Sequence, residues 1–391
     1  MEHTEQMSEE KQYNLFNINR YNINTSEFNH MLEDYELELE EKIAEYVGAK
    51  YACIGNSASS LMQISLMALI AEVPPELLQS YPLSLPTMIP PAVANIVHNA
   101  ASISAIWEDN IGWVGDSYTL YDTKNSFEQI YKTNVTEDDT GQDEESAPEH
   151  VRMMRLIKDR YSKPYKIIDS AQKIRRNQFV NEAFPNDIMI FSLYPTKPIG
   201  CMDGGILVSN DKEKINFFKS MSHLGAHPKS EAGEIIPSWD SSFVFPGFKM
   251  NPNSAQCYTA LKNLEKLDDK NKRLDEISAI YNKELGYYNN SNHLYRIRVK
   301  RRGDFMSKMF EDGIQVGIHY MPQHLRKEVA YRFTMPGKPL VDSEIEGLQT
   351  VSIPFHENLS NSDLDFIIGK IKSSELLIDY DTYAKWKGVA R

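Results

Sequence analysis

Two stretches decide the fold, IIDSAQ at residues 167–172 and FSLYPTKPIGCMDGGILVSND at residues 191–211. The first is an apolar run that stops on Asp169, the pattern of a short buried strand ending in an acid. In the second, two apolar runs flank a turn containing Pro195, Pro198 and Gly200. Lys197 lies in that turn, and ligands in open α/β sheets collect at strand ends. Burying a lysine lowers its pKa and favours the neutral amine that a Schiff base requires. Pyridoxal phosphate (PLP) chemistry asks for such a lysine, with a carboxylate to keep the pyridine nitrogen protonated. Asp169 and Lys197 meet both needs, although a capping aspartate and a surface lysine would read the same in isolation.

Outward from this centre, further short strands are predicted at 103–107, 165–169, 188–193 and 204–209. From Ser26, apolar residues such as Phe28, Met31, Leu32, Tyr35, Leu39 and Ile43 recur at helical spacing, and Gly48 suits a helix stop. KYACIGNSASSLMQISLMALI at 50–70 reads as a strand, a small-residue turn and a buried helix, with Ser57 or Ser59 as its cap. One long helix is expected over Ser254–Leu285, then strands near 294–299 and 351–354 and a last helix opening near Ser362. Strands alternating with helices predict an α/β fold, its sheet covered on both faces. The expected domains are an N-terminal surface arm at 1–25, a large domain at 26–253, and a linker helix with a small C-terminal domain at 254–391. The acidic run at 137–149 reads as a solvated loop.

The chain has 391 residues with 42 basic and 55 acidic side chains, a net charge of −13. Such a surface repels phosphate backbones and anionic lipid, which argues against nucleic-acid and membrane partners. No apolar run approaches the ~18 residues of a membrane span, and the polar start MEHTEQMSEEKQYN is unlike a secretory signal. The three cysteines, Cys53, Cys201 and Cys257, are widely separated and fit neither a disulfide framework nor a metal site, so a reducing cytoplasm is expected. The dispersed histidines show no zinc-like spacing.

Six motifs in order resemble the DegT/DnrJ/EryC1/StrS family of PLP-dependent sugar aminotransferases. They are EEKIAEYVGAKYACIGNSASSL at 40–61, the two stretches quoted first, MSHLGAH at 221–227, GFKMNPNSAQ at 247–256 and GIHYMPQHL at 317–325. The resemblance implies PLP-dependent transferase fold type I, with a mixed, mostly parallel sheet in the large domain and a smaller α+β domain. It implies transfer of an amino group, with glutamate as donor, to a keto-sugar carried on a nucleotide. It assigns Lys197 as the Schiff-base lysine and Asp169 as the partner of the pyridine nitrogen. Gln172 falls near the ring's phenolic oxygen, and Ser192 at the cofactor phosphate. Ser57 and Ala58 occupy the phosphate turn, where the family has Gly-Thr. Met88, in PTMIPPAVAN at 86–95, stands where an aromatic usually stacks on the pyridine. Trp113 and Tyr118 fall in a stretch that departs from the family, between packing and substrate contact. Lys249 is placed at the neighbouring subunit's phosphate site, which implies a homodimer with shared active sites. His319 and Tyr320, with His324 downstream, fall near the sugar pocket. The sibling sugar dehydratases carry histidine in place of the lysine, and a non-catalytic family member is the other alternative.

Overall fold

Helix α1, Tyr35–Val47, starts where the Asp34 carboxylate accepts the Leu37 N–H at 3.2 Å and stops at Gly48, whose φ of 78° is left-handed. The computed structural model to which α1 belongs describes residues 12–17, 28, 34–72, 83–100, 105–108, 118–122, 148, 151–152, 165–226, 243, 245–288, 291–330 and 339–379. Trp113 and the acidic run at 137–147 lie outside these residues.

After α1 come β1 (Tyr51–Gly55), α2 (Ala58–Glu72), β2 (Leu83–Pro86), α3 (Pro91–Asn99), β3 (Ala105–Glu108) and β4 (Tyr118–Asp122). Then follow β5 (Lys166–Asp169), α4 (Gln178–Glu182), β6 (Ile188–Ser192), β7 (Gly205–Ser209) and α5 (Lys212–Ser222). The C-terminal part holds α6 (Ser254–Leu264), α7 (Leu267–Leu285), β8 (Tyr295–Arg298), α8 (Arg302–Glu311), α9 (Lys327–Ala330), α10 (Val341–Gln349), β9 (Thr350–Ile353) and α11 (Asn361–Ser373).

The main sheet has the order β1-β7-β6-β5-β4. Three of its strands, β1, β5 and β6, run one way, and β7 and β4 run the other. The strands β2 and β3 form a separate parallel pair. The sheet layer is therefore mixed: within the five-stranded sheet β5–β6 is the parallel neighbouring pair, because the reversed β7 lies between β1 and β6.

Side chains of the central strands alternate between two cores, the period of two that a pleated strand imposes. Cys53, Ile167, Ile190 and Leu207 face α2 and α3, and join Leu61, Ile64 and Val93. Ile54, Ile168, Phe191 and Ile206 face the other way, against Ile43 of α1 and Cys257 and Leu261 of α6. A third core joins Leu274, Ile277 and Tyr281 of α7 to Ile297, Val351, Phe305 and Leu364.

The single helix expected over 254–285 is two. It breaks at Glu265–Lys266, between the end of α6 and the start of α7. Leu267 packs into the sheet core and Leu274 into the third core, so the break lets successive apolar residues serve two different layers. The described part of the N-terminal arm also differs from a solvated surface segment. Tyr13 pairs with Ile314, Phe355 N donates to the Leu15 carbonyl, and Leu15 is only 5% exposed. An apolar residue at this position gains from burial what a freely solvated arm would forgo. Among the described residues no helix is long and apolar enough to cross a membrane.

Glu40 of α1 is buried in the interior, where it accepts from Ile54 N and meets Lys219 Nζ at 2.6 Å. Burial pushes its carboxyl up from 4.5 to about 7, against the opposing pull of Lys219. An acid raised on folding binds more protons in the folded state, so its contribution is full below pH 4.5 and is lost as pH rises to about 7. We expect urea unfolding to show the stability of the unmutated chain relative to Glu40→Gln falling by about 3 kcal/mol across that window. An equal slope in the variant would refute it.

Candidate active site

The lysine turn is shaped by its own backbone. Cys201 N donates to the Leu193 carbonyl at 2.7 Å and Lys197 N to the Tyr194 carbonyl at 2.8 Å. Gly200 closes the loop at φ 53°, and a Cβ there would stand 2.7 Å from the Pro195 oxygen and 2.9 Å from the Lys197 oxygen. The turn thus presents Lys197 from the ends of β6 and β7 as a partly buried side chain. Burial lowers its amine to about 8, and the Asp169 carboxylate partly offsets this by favouring the cation.

Asp169 ends β5, between Ile190 of β6 and Tyr118 of β4 in register, and is 4% exposed. Its Oδ1 accepts from Ala171 N at 2.9 Å. Gln172, three residues on, is 3% exposed and its Oε1 has no hydrogen-bond partner among the described residues. A buried amide oxygen without a partner is a polar demand that a bound group can meet.

The phosphate turn reaches the same sheet edge. Ser57 caps α2, its Oγ accepting from Ser60 N at 3.1 Å and lying 2.8 Å from Ser60 Oγ. Gly205 pairs with both Gly55 and Ser192 across the sheet, and a Cβ on it would lie 2.3 Å from Ala58 N. The missing side chain is what lets the turn settle against the strand. Ser57, Ala58 and Ser192 thereby meet at the positive end of a 15-residue helix, a setting suited to an anion. Asn56, beside them, donates its N–H to the Met250 carbonyl at 2.7 Å and has an unpartnered buried Oδ1. Lys249 is therefore adjacent in sequence to a segment tied to this chain's own turn, with its side chain exposed.

Met88 is 1% exposed, next to Thr87, whose buried Oγ1 has no partner. His319 and Tyr320 come from the small C-terminal layer. His319 Nδ1 lies 3.0 Å from Ser352 Oγ, and Arg296 Nη1 donates to the His319 carbonyl at 3.1 Å. Burial, then the charge of Lys197, lower His319 to about 4. Burial, then the charge of Asp169, raise the Tyr320 phenol. Both residues therefore lie within electrostatic reach of the pair at the sheet edge. His324 sits apart, 3.3 Å from Glu344. Tyr118 joins the assembly through its backbone register opposite Asp169.

Two side chains absent from the motif reading belong to this neighbourhood. His293, buried just before β8, is held well below its ordinary pKa by burial and then by Lys197. Phe16 of the arm stacks on it at 4.8 Å. Neither sits in a recognisable local pattern, because long-range packing alone brings both to the site. Among the described residues no group of three or more His, Cys, Asp or Glu is placed to hold a metal.

The architecture is that of PLP-dependent transferases of fold type I. Residues 183–372 match the model of the DegT/DnrJ/EryC1/StrS aminotransferase family. It is 26% identical over 355 residues to the UDP-4-amino-4,6-dideoxy-N-acetyl-beta-L-altrosamine transaminase of Campylobacter jejuni, a match covering 84% of this chain and 87% of that protein. Among solved structures it is similar to a DegT/DnrJ/EryC1/StrS aminotransferase from Brucella abortus, with a TM-score of 0.64 and 23% identity over 88% of this chain and 91% of that one. It is also similar to a Streptococcus pneumoniae protein described as a sugar aminotransferase and solved in its PLP form, with a TM-score of 0.62 and 17% identity over 87% and 91%.

The opposed effects of burial and Asp169 on Lys197 can be separated. Labelling Lys197 with acetic anhydride across pH, read by peptide mass spectrometry, should give a midpoint near 8. Asp169→Asn removes the stabilising anion, so the midpoint should fall further. A midpoint that stays put or rises would show that Asp169 does not act on the amine.

Proposed function

We propose that this protein is a PLP-dependent aminotransferase that moves an amino group from glutamate to a nucleotide-linked keto-sugar. The observation that carries the reading is one sheet edge where a lysine of lowered basicity, a buried aspartate and a serine-lined helix N-terminus converge. The Campylobacter relative is named for a UDP-linked amino sugar, which supports a nucleotide-linked acceptor. Three buried, free cysteines suit a reducing cytoplasm.

The residues present fit PLP. Backbone N–H groups of Ser57 and Ala58, with the Ser192 hydroxyl, would hold its phosphate. The Gly205 cradle leaves room for that turn, and the buried Gln172 amide oxygen, without a partner among the described residues, supports a polar contact with the cofactor. Met88 would cover one ring face with its thioether. When bound, PLP supplies an aldehyde that takes up an amine and a ring that draws electron density from the adjacent carbon. Asp169 would hold a proton at the pyridine nitrogen by its negative charge. Lys197 Nζ, lowered to about 8, would be available as the neutral amine to take up and release the proton lost from the donor's α-carbon. His319 and Tyr320 bound the substrate side.

Lys249 would supply a full cation to the phosphate of a neighbouring chain, in a homodimer with composite sites. A charge-assisted hydrogen bond there is worth about 1.5–3 kcal/mol. Exposed Tyr194, Met202, Leu224 and Phe243 lie on the site loops and give a second copy apolar surface to cover.

The purified protein should be yellow with PLP. Borohydride should fix the cofactor to Lys197 in the peptide map, and Lys197→Ala should lose this adduct and all transamination of glutamate. A substantial rate in Lys197→Ala without added amine would remove the lysine from its role. Asp169→Asn should keep its fold and lose most of the rate.

Light scattering should give twice 44.9 kDa. Mixing Lys197→Ala with Lys249→Ala chains should restore part of the cofactor affinity, since the mixed dimer holds one intact site. A monomer that binds PLP tightly would overturn the shared site.

A further inference from the structure

The described part of the N-terminal arm, residues 12–17, is docked by several hydrogen bonds. Tyr13 N donates to the Gly313 carbonyl and Gln315 N to the Tyr13 carbonyl, both at 2.9 Å. Leu15 N donates to Gln315 Oε1 at 3.0 Å, and Asn17 Nδ2 to Glu357 Oε1 at 3.1 Å. The Tyr13 ring stacks on Phe366 at 4.9 Å. Leu15 lies where a Cβ on Gly317 would come within 2.8 Å of its Cδ2, so the arm runs flush against the strand leading to His319.

Between these anchors stands Phe16. Its ring is stacked on buried His293 at 4.8 Å with a 14° interplanar angle, and meets His319 edge-on at 5.8 Å. His319 in turn meets Tyr320 edge-on at 5.1 Å. These four rings form a continuous row, and both imidazoles feel the charge of Lys197. We propose that Phe16 is a positioning residue of the active site: it holds His293 and His319 as one aromatic wall and keeps water from that side of Lys197.

The charged groups around this wall can be named. Asp169 faces Lys197 from β5; Lys270 of α7 acts on His293, together with Lys197 and His319; Arg296 of β8 acts on His319 and Tyr320. Both imidazoles are neutral near pH 7, because burial and the surrounding cations disfavour their charged forms. An uncharged wall has no attraction for a donor carboxylate. On the function proposed above, it therefore bounds the side taken by the sugar.

The main test needs no turnover, so it stands apart from the proposed activity. In the full chain without cofactor, acetic anhydride labelling of Lys197 is followed across pH. Phe16→Ala should admit water and raise the midpoint by about one pH unit, because relieved burial favours the cation. Phe16→Tyr, which keeps the ring, should retain the wild-type midpoint. An unchanged midpoint in a folded Phe16→Ala protein overturns the proposal.

A second measurement uses the unmutated chain. Diethyl pyrocarbonate should modify His293 far more slowly than the exposed His98, and equal rates would show that no wall covers it. With UDP-4-amino-4,6-dideoxy-N-acetyl-beta-L-altrosamine and 2-oxoglutarate run in reverse, Phe16→Ala should raise KM for the sugar about tenfold and leave that for 2-oxoglutarate within twofold. Equal rises in both would overturn the assignment of the wall to the sugar.

Discussion

The site depends on a close approach that only glycine permits. At Gly205 the sheet edge passes so near the start of α2 that a methyl group would overlap Ala58 N, at 2.3 Å. The same residue is paired on one side with Gly55, which leads into the turn, and on the other with Ser192, which leads into the lysine loop. One missing side chain therefore brings a helix N-terminus and the lysine loop to a common point. A larger residue would displace the turn or spread the strands, because a packed interior accommodates added atoms poorly.

Once these elements meet, electrostatics follow from burial. Lys197 is made less basic by lost hydration, and Asp169 restrains the shift without cancelling it. Burial is also the main cause for the C-terminal residues nearby, and the same two groups add to it: Asp169 to the rise of the Tyr320 phenol, Lys197 to the lowering of His293 and His319. Opposed shifts of this kind cluster at functional sites, although structural ion pairs also produce them. The buried Arg298–Glu346 pair shows the contrast, since it links β8 to α10 away from this cluster.

The small domain is joined to the sheet by more than the chain that connects them. The break between α6 and α7 divides one apolar helical sequence between two cores. Asn271 of α7 spans the junction, donating to the Ile174 carbonyl at 3.1 Å and accepting from Asn292 at 2.7 Å. On the far side, the arm's hydrogen bonds to Gln315 and Glu357 fasten the chain's beginning to the same layer. The aromatic row beside Lys197 is thus drawn from residues separated by as much as three hundred positions.

The sequence by itself determined what local chemistry can encode. Apolar runs bounded by glycine and proline mark β5, β6 and β7, since burial on both faces demands uninterrupted apolar residues. Ser57 announces a helix start because its short side chain can reach backbone N–H groups. Gly48 and Gly200 mark left-handed backbone. The order of the motifs carried the resemblance to the family, and with it the expected roles of Asp169, Lys197, Ser192 and the phosphate turn. The tertiary structure alone decided the reversed course of β7, the helix break at Glu265–Lys266, and the arrival of Phe16 and His293 at the site. Strand direction depends on which neighbours pair, and a helix break depends on which core each turn meets. A phenylalanine in a polar arm has no local pattern to mark it, because its role comes from partners nearly three hundred residues away.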